Sequence, residues 1–206
     1  MNRLPTFLAV CLLAGCAGST RNQPPAAVYD FGLPIERLAE DHRWSSVALE
    51  IRAPYWLDSP AIDYRLLYEN PLKLRSYATS RWAGAPALLL SQRLRQQLGF
   101  AGVTGHLAVR CLLRLEVQEF SQVFITPQSS RGVLQVNANL LDARQRLLAE
   151  SQVASEQPAP TVDAHGGVIA LAAASEDLGR QLAGWLNDLE KRGTLKDCRT
   201  PAEESQ

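Results

Sequence analysis

Four cysteines and three histidines are the side chains of this 206-residue chain best suited to covalent or metal chemistry. A cysteine thiol can take up a covalent group, pair as a disulfide or bind a metal, and a histidine can serve as a metal ligand or a general base. The cysteines fall into two groups. Cys11 and Cys16 lie near the N-terminus, and Cys111 and Cys198 lie far downstream. Their sequence surroundings decide which chemistry each one predicts.

Cys16 ends the run Leu13-Ala14-Gly15-Cys16, which is similar to the bacterial lipobox. In that motif a leucine lies three positions before the cysteine, small residues let a peptidase approach the backbone, and the thiol takes up the lipid. The expected product begins at Cys16 and carries lipid on its sulfur. Ordinary signal cleavage that leaves an unmodified cysteine is the alternative.

The residues before this motif have the composition of an export signal. Arg3 gives a weakly positive start, and an apolar run follows from Leu4 to Ala14, interrupted by Pro5 and Thr6. A bilayer core of about 30 Å needs roughly 20 helical residues, so this run is too short to span it. A charged start, a short apolar stretch and small residues are typical of a secretory signal. We therefore expect residues 1–15 to be a lipoprotein signal peptide.

The lipid on Cys16 also predicts a location. One acyl chain binds a membrane marginally, whereas several chains anchor stably at about 0.8 kcal/mol per buried methylene. Ala17 follows the cysteine where an aspartate would favour retention in the inner membrane of enterobacteria. This favours the periplasmic face of the outer membrane over the inner membrane. Apart from this covalent lipid, we expect no cofactor.

The downstream pair, Cys111 and Cys198, predicts a disulfide, because an exported protein meets an oxidising periplasm. Closing so long a loop stabilises a fold by about 4 to 5 kcal/mol in the chain-entropy model. The alternative is a buried thiol at Cys111 and a free Cys198 in a frayed C-terminus.

No pattern in the chain predicts catalysis. His42, His106 and His165 lie far apart, whereas a zinc site usually shows paired ligands at short intervals. The glycine-rich run Gly99–Gly105 follows a helix instead of opening one, so it is a poor phosphate loop. His165-Gly166-Gly167 is faintly similar to an oxyanion loop, but a loose first helical turn is the expected structure. We predict a protein that is not an enzyme and holds no metal.

Composition limits the partners and the number of domains. Lysine and arginine total 21, and aspartate and glutamate also total 21, so no basic field attracts nucleic acid. About 190 residues remain after the signal, enough for one domain with a core. The expected organisation is a lipidated cysteine and flexible tether over residues 16–28, a domain over 29–193 and a tail over 194–206.

Hydrophobic periodicity predicts strands and helices in that domain. Apolar residues alternate with polar ones in several segments, and leucines recur at helical spacing after Pro86 and after Asp163. Gly99 and Gly193 are suited to ending the two helices. The expected fold is α+β, an antiparallel sheet of about six strands with two helices on one face, in the order βββαβββα. The predicted strands lie at Val47–Ile51, Ile62–Tyr68, Leu72–Trp82, Val109–Val117, Leu134–Leu140 and Leu147–Val153, the last two forming a hairpin.

The segment Ala53–Pro60 is a predicted loop with an unusual apolar content. Its Tyr55, Trp56 and Leu57 cannot all point inward, and exposed aromatic clusters commonly serve interfaces. They are therefore candidates for contact with a partner or a lipid. The alternative is that Tyr55 or Trp56 closes the end of the core.

Farther along, Trp82 is expected in the core beneath the first helix. Its neighbour Arg81 is expected to form a structural ion pair with Asp58 or Asp63.

Several local runs resemble the ABC-type transport auxiliary lipoprotein family over about residues 29 to 190. They include Trp56–Ile62, Tyr64-Arg65, Ser80–Ala83 and Leu182–Leu186, together with the order of elements. The resemblance implies an accessory subunit of an MCE/ABC-type transport system for phospholipid or other hydrophobic cargo, with an MCE-domain protein as its partner. A direct lipid carrier and an assembly factor of another envelope complex are the alternatives. Self-association stays open.

Overall fold

Seven strands and two long helices form the domain in a computed structural model that describes residues 25–39, 43–100 and 109–198. The helices are α1 (Pro86–Leu98) and α2 (Ala164–Lys191), and a short 3-10 turn covers Lys196–Cys198. The strands are β1 (Ala27–Tyr29), β2 (Val47–Arg52), β3 (Ala61–Leu66), β4 (Asn70–Trp82), β5 (Cys111–Thr126), β6 (Ser129–Asp142) and β7 (Leu147–Pro158).

The long strand β5 organises the sheet. One edge of β5 pairs with β6 along most of its length, in an antiparallel ladder from Cys111 opposite Asp142 to Thr126 opposite Ser129. The other edge is shared end to end by two strands that run parallel to β5. Strand β2 pairs with its first part and β3 with its last part. Outward from these, β4 pairs antiparallel with β3, β1 pairs parallel with β4, and β7 pairs antiparallel with β6.

The α+β class is confirmed, but the expectation of a purely antiparallel sheet is wrong. The sheet is mixed, with seven strands in place of about six. Two features cause the difference. The loop after β2 does not reverse the chain, so β2 and β3 run in the same direction along one edge of β5. The additional strand, β1, lies in part within the predicted tether.

The predicted hairpin is present as β6 and β7, and Asp142 organises its turn. The Asp142 carboxylate accepts hydrogen bonds from the backbone N–H groups of Arg144 (2.8 Å) and Arg146 (2.9 Å). It also accepts one from the Arg146 side chain at 2.7 Å. These bonds hold the pKa of Asp142 below its usual range, chiefly through the Arg146 backbone bond. Asp142 is thus charged at neutral pH and fixes the register of the hairpin.

Both helices begin and end near the predicted residues. Pro86 opens α1, and Gly99 ends it with a left-handed backbone (φ 68°) that a side chain would strain. The Asp163 side chain caps α2 by accepting a hydrogen bond from the Gly166 N–H at 2.8 Å. Gly193, also left-handed (φ 75°), follows the end of α2. Cap and stop residues therefore set the lengths of both helices.

The core lies between one face of the sheet and the two helices. Helix α2 packs across β5, β6 and β7, and α1 packs against β2 and α2. As expected, Trp82 is fully buried, and it packs against Phe120 with 5.7 Å between ring centroids. At Gly132 of β6 an added Cβ would lie 2.7 Å from backbone atoms of Ala170 and Leu171, so the close approach of α2 requires glycine there.

The structure joins Cys111 and Cys198 by a disulfide, with 5.2 Å between their Cα atoms. The bond ties the 3-10 turn after α2 to the first residue of β5. Leu195 and Cys198 are buried, so residues 194–198 of the predicted tail belong to the packed domain. Residues 199–206 lie outside the described part.

The predicted ion pair of Arg81 with Asp58 or Asp63 is not among the ion pairs of the described residues. The register explains this, because Arg81 lies opposite Ala61 whereas Asp63 lies opposite Ser76 across an irregularity in the ladder. Asp63 accepts a hydrogen bond from the Ser76 hydroxyl at 2.5 Å. Burial raises the pKa of Asp63 above its ordinary value.

Within the described ranges, none of the helices combines the length and the apolar character needed to cross a membrane.

Candidate functional site

The loop between β2 and β3 protrudes from the edge of the sheet. Arg52 lies beside Glu116 of β5, and Tyr64 lies beside Gln122. The chain between Arg52 and Tyr64 contains about twice as many residues as the stretch of β5 that it passes. The excess residues have no room in the ladder. They therefore form an outward loop, which we call the aromatic loop (Ala53–Pro60).

Two aromatic side chains of this loop face solvent. Tyr55 is 86% exposed and Trp56 is 54% exposed, and the two rings meet edge to face with 5.0 Å between their centroids. Leu57 is only 2% exposed and belongs to the core. Its backbone N–H donates to the Pro54 carbonyl at 2.8 Å, which closes a turn around the aromatic pair. Of the three predicted contact residues, Leu57 is therefore buried and anchors the loop, whereas Tyr55 and Trp56 are exposed and remain candidates for contact.

The exposed face of the sheet continues from this loop as a shallow depression. Trp56, Arg52, Glu116 and Gln118 contribute to a cavity of about 270 Å³ at the base of the loop. Two neighbouring cavities of about 350 and 440 Å³ extend along β6 and β7. Amide side chains dominate their lining, namely Gln118, Gln135, Asn137, Asn139 and Gln152. We call this surface the amide face.

The charged side chains at one end of the amide face are held in ion pairs. The Glu50 carboxylate accepts hydrogen bonds from Arg114 at 2.7 Å and from Arg52 at 2.8 Å. The bond from Arg114 is the main reason that the pKa of Glu50 lies below its ordinary value. Arg114 also donates to Gln145 at 3.2 Å. Oriented amides and paired charges beside exposed aromatic rings can bind a protein surface through many hydrogen bonds and a few aromatic anchors.

The helix-covered side of the sheet is filled with side chains. Trp82, Phe120, Leu94 and Leu171 are buried there within one continuous core. A carrier for an acyl chain would need interior apolar volume, whereas the three cavities described above open on the polar side of the sheet. These three cavities therefore form part of a polar surface and not of an apolar interior.

A buried network that the periodicity did not reveal fastens the N-terminal segment to the helices. Arg93 of α1 forms an ion pair with Glu176 of α2, and both side chains are buried. Arg93 also donates to the carbonyls of Phe31 and Gly32, and Gln97 donates to Glu176. The ring of Phe31 packs edge-on against Trp82, with 5.4 Å between the centroids.

A charged residue beside a leucine stripe is usually solvated, so the leucine spacing of α1 does not indicate that Arg93 is buried. The sequence indicates the burial of this ion pair only weakly. Arg93 lies immediately before Leu94, and Glu176 lies immediately after the buried Ser175.

His165 and the glycines after it form the first turn of α2. An added Cβ at Gly167 would lie 2.2 Å from the Gln122 side-chain oxygen, and one at Gly166 would lie 2.0 Å from the Thr161 carbonyl. The glycines therefore serve close packing at the start of the helix. Within residues 25–39, 43–100 and 109–198, no three His, Cys, Asp or Glu side chains are grouped to hold a metal. Cys16, His42 and His106 lie outside these ranges, and the absence of a metal site stays a prediction.

Comparison with solved structures places this fold among known ones. A protein from Xanthomonas campestris assigned to DUF330 is similar, with a TM-score of 0.65 and 19% sequence identity. The match covers 82% of this chain and 99% of that one. An uncharacterized protein is also similar, with a TM-score of 0.60, 14% identity, and coverage of 79% and 99% of the two chains.

The comparison with protein-family models gives no match, and neither does the comparison with curated proteins. At these identities the likeness to solved structures concerns the fold alone. It shows that the mixed sheet with two helices on one face is an established arrangement.

Proposed function

We propose that this protein is a lipid-anchored lipoprotein of the periplasmic side of the outer membrane that docks an MCE-domain protein of an ABC-type transport system. Its function is to tether and align its partner, and the hydrophobic cargo passes through the partner. The observation that carries this proposal is the solvent-exposed pair Tyr55 and Trp56, held at the border of the amide face by the buried Leu57.

The anchor rests on the sequence Leu13-Ala14-Gly15-Cys16 and the export signal before it. Lipid on Cys16 would hold the domain at a membrane without a membrane-spanning helix, since several acyl chains anchor stably. A disulfide between Cys111 and Cys198 fits the same compartment, because such bonds persist in the oxidising periplasm.

Docking is supported by the chemistry of the exposed surface. Rigid aromatic side chains supply large contact areas at low conformational cost and are enriched at the energetic centres of interfaces. Next to them, the amides of Gln118 and Asn137 offer both hydrogen-bond donors and acceptors. The choice of an MCE-domain partner rests on the family resemblance of the runs around Trp56, Tyr64 and Trp82.

Photo-crosslinking in living cells tests the proposal. A photoreactive amino acid replaces Trp56 in the full-length protein, and a second variant carries it at Leu88, an exposed residue of α1 on the helix side. We expect the Trp56 position to capture an MCE-domain protein and the Leu88 position to capture it far less. In addition, Trp56→Ala should weaken recovery of the partner while the melting temperature stays near that of the wild type.

Three outcomes would contradict the proposal in different ways. Capture at Leu88 alone would move the docking surface to the helices. Capture of a different envelope complex at Trp56 would favour the role of assembly factor. Phospholipid that co-purifies with unlipidated protein in stoichiometric amounts would favour the direct carrier.

A further inference from the structure

One end of the sheet carries an exposed apolar cluster that the docking surface does not include. Leu67 and Tyr68 form the turn between β3 and β4, Leu72 follows in β4, and Ile125 lies near the end of β5. The Leu67 N–H donates to the Phe124 carbonyl at 3.0 Å, which sets Leu67 beside Ile125. We call these four residues the hydrophobic tip.

A local irregularity of β4 pushes the tip outward. Leu66 pairs with Asn70 while Arg65 pairs with Leu74, so the three residues from Pro71 to Lys73 are extra on the β4 side. Such a bulge bends the strand and redirects its side chains. Leu72 is consequently 90% exposed, the largest exposure among the large hydrophobic side chains of the described residues.

The charges around the tip suit a phospholipid surface. Glu69 forms an ion pair with Arg75, which compensates its negative charge and lowers its pKa. Lys73 adds a positive charge within the bulge. Leucine and isoleucine beside a tyrosine and a lysine form the combination that amphipathic segments place at the boundary between acyl chains and headgroups.

The direction of β1 indicates the end of the sheet from which the described chain enters it. Ala27 pairs with Ser80 and Tyr29 with Trp82 in a parallel ladder. Because β4 runs away from the tip, a chain that enters β1 parallel to it comes from the side of the tip. We therefore expect a lipid on Cys16 to place the membrane on this side.

The length of the connecting chain limits the distance to that membrane. Ten residues separate Cys16 from Ala27, and a chain spans at most about 3.3 to 3.6 Å per residue, which gives a reach of roughly 35 to 40 Å. The ladder with β3 sets the height of β1 above the tip, because Asn70 lies opposite Leu66 and Arg81 opposite Ala61, and the five residue steps of β3 between them span about 17 Å at the rise of an extended strand. The connection is therefore long enough to place Cys16 at the level of the tip or beyond it, so the tip can reach the leaflet that would hold the lipid.

We propose that Leu67, Tyr68, Leu72 and Ile125 rest in the headgroup region of the phospholipid leaflet that holds the lipid on Cys16. This inference rests on the proposed lipid anchor. The contact would fix the domain upright, with the aromatic loop, at mid-height of the sheet, directed sideways into the periplasm.

Fluorescence quenching in vesicles tests the contact. The mature lipidated protein is reconstituted into vesicles of phosphatidylethanolamine and phosphatidylglycerol, with or without bromine on the acyl chains. Tyr68→Trp and Leu72→Trp report on the tip. Leu147→Trp, an exposed position at the opposite end of the sheet, is the control. The wild-type signal is subtracted because four native tryptophans are present.

We expect brominated lipid to remove most of the added fluorescence at positions 68 and 72 and almost none at position 147. Flotation of the vesicles separates the two hypotheses. Protein that floats but shows no quenching at either tip position would overturn the tip contact and leave the anchor intact. Protein that does not float would refute the lipid anchor and the tip contact with it. Two tip positions are used so that one variant that misfolds does not decide the result.

Discussion

Arg93 and Glu176 form a buried ion pair across the interface between α1 and α2. Arg93 also holds the carbonyls of Phe31 and Gly32, so the pair joins both helices to the segment that leads from the proposed anchor into the domain. Burial lowers the pKa of Arg93, because removal from water disfavours the charged form. The network therefore fastens the segment around Phe31 and Gly32 to the core.

Replacement of Glu176 should destabilise the domain strongly. Glu176→Gln keeps the shape of the side chain but leaves the charge of Arg93 buried without a counter-ion, which costs about 3 to 5 kcal/mol. Urea unfolding at neutral pH measures the change. Asp188→Asn is the control, since it breaks the exposed pair with Lys191 (3.5 Å) and should cost less than about 1 kcal/mol. Equal effects of the two substitutions would contradict the role given to the buried pair.

Loss of the disulfide should also lower stability. Cys111 and Cys198 are separated by 87 residues, and opening such a loop costs about 4 to 5 kcal/mol in the chain-entropy model. Cys198→Ser and reduction of the wild type should lower the denaturation midpoint by similar amounts, measured under the same conditions. A wild-type midpoint that does not respond to reductant would show that the bond does not contribute.

Replacement by alanine should change the stability of the domain in opposite directions at two glycines. Gly132→Ala would drive a Cβ into the backbone of α2 at Ala170 and should destabilise by about 1 to 3 kcal/mol. Gly184 lies within α2, and a Cβ added there would meet no atom within 4 Å, so Gly184→Ala should stabilise by up to about 1 kcal/mol. Thermal unfolding of both variants checks the predicted signs, and a tolerated alanine at 132 would refute the close approach of α2 to the sheet.

The cap of α2 predicts a specific pH dependence. The Thr161 hydroxyl and the Gly166 N–H donate to Asp163 and hold its pKa below the ordinary value. The stabilisation is thus present above the unfolded pKa of about 3.9 and is lost as the pH falls through the lower folded pKa. Asp163→Ala should cost about 1 kcal/mol at pH 7. The difference from the wild type should shrink below the unfolded pKa.

Asp163→Asn is the matched control for the charge. Asparagine caps helices about as well as aspartate, so this variant should keep most of the stability at neutral pH and lose the pH-dependent part. Urea unfolding across the acidic range compares the three proteins. A difference between Asp163→Ala and wild type that stays constant as the pH falls would contradict a charged cap.

The sequence predicted the helices well because their signals are local. The leucine spacing after Pro86, the cap Asp163 and the stops Gly99 and Gly193 each act within one or two turns. The hairpin of β6 and β7 was predictable for the same reason, since Asp142 closes its turn through neighbouring backbone groups.

Strand β5 shows where local patterns fail. Alternation is regular from Cys111 to Val117, but a bulge at Gln118 shifts its phase, and the buried Ser121 and Gln122 then interrupt the apolar series. The strand nevertheless continues to Thr126, nine residues past the predicted end at Val117, because its pairing with β6 resumes after the bulge. Parallel pairing of β2 and β3 with the two parts of β5 depends on contacts far apart in sequence, which periodicity does not encode.

The exposed side chains of the aromatic loop could be predicted only in part. A cluster of two aromatics and a leucine in a proline-bounded loop indicated that some apolar side chains face outward, but not which ones. The turn closed by Leu57 and Pro54 directs Tyr55 and Trp56 to solvent and Leu57 into the core. The amide face could not be predicted, because its residues come together only once β5, β6 and β7 are paired.

Intact mass spectrometry of the protein purified from its native membrane tests the anchor on which the proposed docking role depends. We expect a polypeptide that begins at Cys16, lacks residues 1–15 and carries the added mass of lipid on that cysteine. A mature chain with an unmodified Cys16, or one that retains the leader, would contradict it.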